Sequence, residues 1–407
     1  MKIAVVDLLF NWPPDGGART DVKEVAERLA HHHQVRLFVP SYQRFFPRGR
    51  IDRQFAFEVE LLPFRTRNWN AWTIGRAYRR ALEAWGAQRV YITDGWYLKP
   101  RVFAALAHYR PLVRFYAYET LCLRFHGIFF RHGTNCPVRY LDAGLTTWAT
   151  CARCALPPLR RPQYRQFMQE ALIAGAFLPG YRRAVKRMLR EASALICYNE
   201  FIAAMLRSHN PNVRVVPSGL HPGDFPLQPP RQGGETFEVG MVGRAGDHTK
   251  GFPVLLESCR RLHGRGVPLR LHCTWSEDNL PPEPFLVRHD WMPPAALPDF
   301  YRELDVCVVP SVWQEPFGIV ALEAMASGRP LICTRVGGLG SIPIHGESGL
   351  VVPPADAAAL ESALWALYSD PALRRRLAEA GRRRVEEHFT WDRIVEEHYL
   401  PLFEGRT

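Results

Sequence analysis

The feature that most narrows the fold is an alternation that this chain performs twice. Short apolar runs, IAVVDLLF at the start and then QVRLFVP, RVYITDG and PLVRFYAYE, are separated by amphipathic stretches such as TDVKEVAERLAHH. Such alternation predicts a parallel sheet wound by crossover helices. A Pro/Gly-rich stretch over 221–235 interrupts it, and the pattern restarts with TFEVGMVG, PLRLHCT, VCVVPS and PLICTR. The expectation is an α/β protein with two doubly wound, Rossmann-like domains facing across a cleft, ligands binding beyond the carboxyl ends of the strands. The expected boundaries are a first domain over 1–220, a linker over 221–235, a second domain over 236–388, and a closing helical segment over 389–407 that packs back on the first domain. Between about 121 and 180 the alternation breaks, and that stretch reads as an insertion poor in regular structure.

With 407 residues, 47% hydrophobic and 23% charged, the chain can bury two or three cores unaided and is not a disordered or collagen-like sequence. Its opening lacks a basic lead and a small-residue cleavage site, so it reads as a buried strand and not a signal peptide. No apolar window approaches a bilayer span, and the expected location is cytoplasmic. Charge is uneven: residues 1–217 carry 33 Lys and Arg against 15 Asp and Glu, while 218–407 carry 19 against 25. Only five of the basic residues are lysines, and the arginine fork suits phosphate. Nucleic acid, an anionic membrane and a phosphorylated acceptor are the candidate partners of the basic half; the blander reading is arginine on solvated faces. The stretches RTRNWNAWTIGRAYRRALEAW and YRRAVKRMLREA mix aromatic and basic residues as membrane-surface helices do, or as core aromatics beneath a solvated face do.

Chemistry concentrates in SVWQEPFGIVALEAMASGRP. Glu315 and Pro316 fall where a helix is expected to begin, and Gly318 lets a ligand approach the backbone. Placed on one helix, Glu315 and Glu323 stand within about 80° of each other and about 12 Å apart along the axis. Both then face one elongated ligand, whose phosphate suits the helix N-terminus. The alternative is an acidic cap plus one exposed glutamate.

The E-x7-E spacing of EPFGIVALE, with VGR and KG before it and GG and SGLVVPP after it, resembles the retaining family 4 glycosyltransferases of the GT-B fold (glycosyl transferases group 1). The likeness covers about 190 residues, from VVPSGLHPGDF to FTWDRI. It implies transfer of a sugar from a nucleoside-diphosphate sugar to a hydroxyl acceptor, with retention and no catalytic cofactor. Arg244 and Lys250 would hold the leaving diphosphate, Glu315 the sugar hydroxyls and Glu323 the ribose. The backbone of Phe317, Gly318, Ile319 and Val320 would meet sugar and phosphate. The loop PPDGGAR adds Gly16 and Gly17 as a second diphosphate contact. No Asp-x-Asp occurs, so fixed cations are expected in place of a metal bridge. Two departures stand out: relatives often carry a histidine where this chain has Tyr118 and Glu119, leaving Glu119 to orient the acceptor, and Ser341 replaces a usual glutamate. The basic half suggests an anionic or lipid-linked acceptor in surface polysaccharide synthesis, with peripheral contact at the inner face of a membrane. A GT-B nucleotide-sugar epimerase is the runner-up; a nucleic-acid-binding protein is disfavoured because no reading motif accompanies the charge.

Of nine cysteines, Cys197, Cys259, Cys273, Cys307 and Cys333 read as core fillers. Cys122, Cys136, Cys151 and Cys154 have the count of a structural zinc site, with His126 and His132 as substitute ligands. Disulfides, an iron–sulfur centre and unligated thiols stay open.

Overall fold

The computed structural model describes all residues except 15, 45–46, 125–128, 132, 160–164, 228–234, 276–281 and 406–407. Part of the expected linker, 228–234, therefore lies outside the described residues. The chain divides into two compact units: Met1–Phe129 with Cys136–Pro217 and Ile394–Thr407, and Phe130–Asn135 with Ser218–Arg393.

Unit 1 begins β1 (Lys2–Val6), α1 (Gly17–Ala30), β2 (Gln34–Ser41), β3 (Glu58–Pro63), α2 (Ala71–Trp85), β4 (Arg89–Ile92), α3 (Lys99–Leu106) and β5 (Leu112–Phe115). The hairpin β6 (Phe130–Arg131) and β7 (Thr134–Asn135) belongs to unit 2. Unit 1 resumes with α4 (Leu145–Leu159), α5 (Arg165–Ala174), α6 (Pro179–Glu191), β8 (Ala194–Cys197), α7 (Glu200–Arg207) and β9 (Val213–Val215). Its seven strands are all parallel in the order β3-β2-β1-β4-β5-β8-β9. Strands buried on both faces read as continuous apolar runs, which is why IAVV and ALIC are legible; Ile3, Val6, Leu195 and Ile196 are all fully buried. The helices α4 and α5 correct the expectation of an irregular insertion. CAL and QEALIA sustain helical turns, and Ala155 and Ala171 are buried.

Unit 2 comprises β10 (Phe237–Met241), α8 (Phe252–Gly264), β11 (Leu269–Thr274), β12 (Leu286–His289), α9 (Leu297–Arg302), β13 (Val306–Val309), α10 (Ile319–Ala326), β14 (Leu331–Thr334), β15 (Leu350–Val352), α11 (Ala357–Ser369) and α12 (Pro371–His388). The six strands are parallel in the order β12-β11-β10-β13-β14-β15. Val239, Leu255, Cys259, Leu271, Val308 and Leu364 centre its core, and each such side chain taken fully from water contributes roughly 1.5–3 kcal/mol. The chain closes with α13 (Trp391–Ile394), a π turn and α14 (Leu400–Glu404); within unit 1, Tyr399 and Phe403 pack edge-on against Tyr91. No helix among the described residues is long and apolar enough to cross a membrane.

Strand order reverses between β10 and β13 in unit 2, and between β1 and β4 in unit 1. Beyond the carboxyl ends of such a pair the two neighbouring crossovers diverge and leave a crevice. Gly243, Arg244 and Ser311 follow the first pair; Asp7 and Asp94 follow the second.

Candidate functional site

The crevice of unit 2 is built from two loops pressed on a third. After β13, Ser311 to Phe317 run without helical turns; α10 starts only at Ile319, with Gly318 in the left-handed region at φ 108°. Glu315 is therefore in a loop and does not share a helix with Glu323, correcting the spacing expected from the sequence. The reason is steric: Gly337 presses on the Glu315 backbone, where a Cβ would lie 2.0 Å from the carbonyl oxygen. The Gly338 amide donates to that same oxygen at 2.8 Å, and the Gly337 amide donates to Gln314 Oε1 at 2.8 Å. The glycine pair thus shapes the glutamate loop. On its other side Gly251, at φ 77°, approaches the Pro310 carbonyl so closely that a Cβ would meet its oxygen at 1.9 Å. The Val312 amide donates to the Thr249 carbonyl at 3.0 Å.

Lys250 and Glu315 meet where these loops converge. The ammonium donates to Glu315 Oε2 at 2.9 Å and Oε1 at 3.2 Å, while Ser311 Oγ and Trp313 Nε1 donate to Oε2 at 3.0 and 2.9 Å. Burial alone would raise the Glu315 pKa, but the Lys250 charge and these donors outweigh it and hold it below the usual value. Arg244 is exposed on the loop after β10 and has no ion pair among the described residues. Glu323, on α10, is under opposite pressure. Burial pushes its pKa up to about 7, and the Tyr301 hydroxyl, donating at 3.0 Å, offsets only part of that. Two carboxylates in one unit are thus held at different protonation tendencies by one cation present at the first and, among the described residues, absent from the second.

In unit 1, Gly16 and Gly17 are exposed at the start of α1, with open space where a Cβ would stand. Arg19, one turn in, is buried and bound to Asp94 Oδ2 at 2.7 Å; Asp7 accepts from Thr93 Oγ1 and the Asp94 amide. Glu119 is 2% exposed. Its carboxylate accepts from Lys99 Nζ at 2.8 Å and from the amides of Tyr116 and Ala117 at 3.1 and 2.8 Å, so it clasps its own turn.

Residues 236–370 match the family model described as Glycosyl transferases group 1. Over the whole chain, the structure superposes on sucrose-phosphate synthase from Thermosynechococcus elongatus with a TM-score of 0.67, 21% identity and 99% of each chain covered. Anabaena HepE, in complex with UDP and glucose, gives 0.64 at 14% identity and 99% coverage of each chain. This chain has the GT-B fold. Among curated proteins, Mycobacterium tuberculosis glycogen synthase is 43% identical over 91 residues, 22% of each chain. The MMP alpha-(1->4)-mannosyltransferase of Mycolicibacterium hassiacum is 30% identical over 231 residues, 53% of this chain and 55% of that protein. The chain thus spans between about a fifth and about half the length of these two relatives.

Within this GT-B framework the residues Phe317, Gly318, Ile319 and Val320 form the entry to α10, with Phe317 buried and the next three partly exposed. Ser341 is exposed and bonds back to the Gly338 carbonyl at 2.7 Å. The five cysteines read as core fillers are all fully buried. Cys122, Cys136, Cys151 and Cys154 are partly buried and joined by no disulfide among the described residues, and no group of three or more metal-ligating side chains is gathered among the described residues. The zinc expectation therefore gains no support; His126 and His132 lie outside the described residues. Sequence reading missed Lys99, Ser311, Trp313 and Tyr301. A lysine or tyrosine in an apolar helix was the available signal for Lys99 and Tyr301; the other two carried none.

Proposed function

We propose that this chain is a retaining, family 4 type glycosyltransferase that moves a sugar from a nucleoside-diphosphate donor to a hydroxyl acceptor. Unit 2 holds the donor and unit 1 the acceptor. The observation that carries this reading is the Lys250–Glu315 pair at the strand-order reversal of unit 2, with Arg244 exposed on the loop that carries Lys250. An ammonium has three N–H donors, and Glu315 takes at most two of them; the diphosphate would take the third. Arg244 would take the other phosphate. As the sugar–phosphate bond breaks, charge grows on the leaving oxygen, and fixed cations stabilise it more than they stabilise the bound donor. The first N–H groups of α10 add a positive dipole end. Glu315 would meet sugar hydroxyls and Glu323 the ribose diol. In this reading the departing phosphate oxygen takes the acceptor proton on the face where the new bond forms. Arg244, Lys250 and backbone donors then do the work of a bridging ion. The complex of HepE with UDP and glucose makes UDP sugars the first donors to try. A lipid-linked or anionic acceptor for surface glycoconjugates, met at the inner face of a membrane, fits the basic first half.

The test is a panel of nucleotide sugars scored for nucleoside diphosphate release and for the anomeric configuration of the product. One donor should turn over, and Arg244→Ala or Glu315→Ala should cost on the order of 10²–10³ in rate. Undiminished turnover by Glu315→Ala would remove the reading. Release of diphosphate without acceptor, with an epimerised sugar, would favour the epimerase.

A further inference from the structure

In unit 1, α3 packs against both α2 and α6, and the solvent side of this helix row carries an excess of positive charge. On α2, Arg76, Arg79 and Arg80 are exposed at i, i+3 and i+4, which puts them on one stripe; on α6, Arg183, Arg187 and Arg190 repeat the pattern at i, i+4 and i+7. The three helices supply two carboxylates, Glu83 and Glu191. Arg79 takes the first at 2.7 Å and Arg187 the second at 2.9 Å. Arg80, Arg183 and Arg190 have no ion pair among the described residues.

Large apolar side chains are exposed at one end of the same row. Trp72, in the first turn of α2, is 69% exposed, and Leu178, just before α6, is 62% exposed. Leu172 of α5 is 67% exposed, and Arg101 in the first turn of α3 donates to the Ala174 carbonyl at the end of that helix. These positions are level. A Cβ on Gly75, one turn after Trp72, would lie 3.0 Å from Ala105 and 3.7 Å from the Arg101 carbonyl oxygen, and Gly175 sits against both Arg101 and Leu178. Each helix runs antiparallel to the strands it joins, so this apolar rim stands at the carboxyl end of the sheet. The Arg76 guanidinium lies 4.1 Å from the centre of the Trp72 ring, a pairing suited to the headgroup level of a bilayer, where an aromatic ring keeps one side wet.

We propose that this face docks on an anionic lipid surface. Trp72, Leu172 and Leu178 enter the boundary between headgroups and acyl chains, and the arginines of α2 and α6 lie over the phosphates. Nucleic acid would use the arginines and leave the two leucines without a role. The inference extends the transfer reading by naming the surface that brings a lipid-linked acceptor to unit 1. Docked this way, the carboxyl ends of the unit 1 strands border the membrane, and the acceptor hydroxyl need not leave it.

Co-sedimentation of the full chain with vesicles decides it. The chain should bind phosphatidylcholine vesicles containing phosphatidylglycerol and not phosphatidylcholine alone, with binding that weakens as salt rises. The triple change Arg80→Glu, Arg183→Glu and Arg190→Glu touches only exposed groups and should lower that affinity roughly a hundredfold or more. Trp72→Ser with Leu178→Ser should keep low-salt binding and lose the salt-resistant part. Equal binding to both vesicle types, or a triple variant that binds like the wild type, overturns the proposal. So does displacement by duplex DNA with no contribution from Trp72 or Leu178. Nucleoside diphosphate binding, measured on the same preparations, should be unchanged in every variant; its absence from the wild type would count against the transfer reading and leave the vesicle result intact.

Discussion

The Lys250 ammonium and the Glu315 carboxylate, 65 residues apart in the chain, meet at 2.9 Å at the junction of three loops of unit 2. Their side chains are 24% and 12% exposed, so each is costly to leave alone. Lys250→Met should destabilise the chain by up to about 3 kcal/mol, less than a wholly buried pair because solvent screens the lysine. Adding Glu315→Gln should recover most of that in urea titrations without restoring turnover. The Glu315 pKa is held below its ordinary 4.5, so its contribution is present above that pH and is lost as pH falls through the lower, folded value. A wild-type chain no more acid-sensitive than Glu315→Gln would contradict this.

Glu323 runs the other way. With its pKa raised from 4.5 to about 7, the folded chain holds a proton that the unfolded chain has released, so stability falls as pH rises across that interval. By pH 8 the deficit is on the order of 3 kcal/mol. Glu323→Gln should therefore raise the melting temperature at pH 8 and leave it nearly unchanged below about pH 4.5. A gain of equal size at both pH values would refute the assignment.

Two glycines with similar positive φ should respond differently to a methyl group. Gly266, at φ 83°, has open space around it, whereas the Cβ of an alanine at 251 would strike the Pro310 carbonyl oxygen at 1.9 Å. Gly266→Ala should cost about 1–2 kcal/mol, the left-handed penalty alone. Gly251→Ala should cost several kcal/mol more and abolish turnover, as denaturant titration and the transfer assay would report.

Glu119 and Lys99 are the comparable pair in unit 1, joined at 2.8 Å with both side chains almost wholly buried. Glu119→Ala strands the ammonium and should cost about 3–5 kcal/mol. Combining it with Lys99→Met should return a large part of that loss, because an uncharged side chain needs no partner. If the double variant were as unstable as the single one, the turn and not the charge would be what Glu119 supports.

Much of the fold was legible because strands buried on both faces must be apolar and the helices between them amphipathic. IAVVDLLF, VCVVPS and PLICTR announce themselves as β1, β13 and β14. The strands β3 and β12 were not anticipated. EVELLP and LVRH lie at sheet edges, where one neighbour supplies the hydrogen bonds and half-exposed positions tolerate charge. The glycine pair at 337–338 was visible as a motif, but its purpose came from the contact with the Glu315 backbone.

The order of apolar and polar residues was enough to determine two wound parallel sheets and the loops that carry their chemistry, since local periodicity and burial on both faces act through near neighbours in the chain. Which charges meet was decided by tertiary structure. Whether a carboxylate such as Glu119, Glu315 or Glu323 is clasped by its own turn, paired with a distant lysine or left to hold its proton depends on groups within a few ångströms in space. Only the packing of loops from separate crossovers brings those groups together.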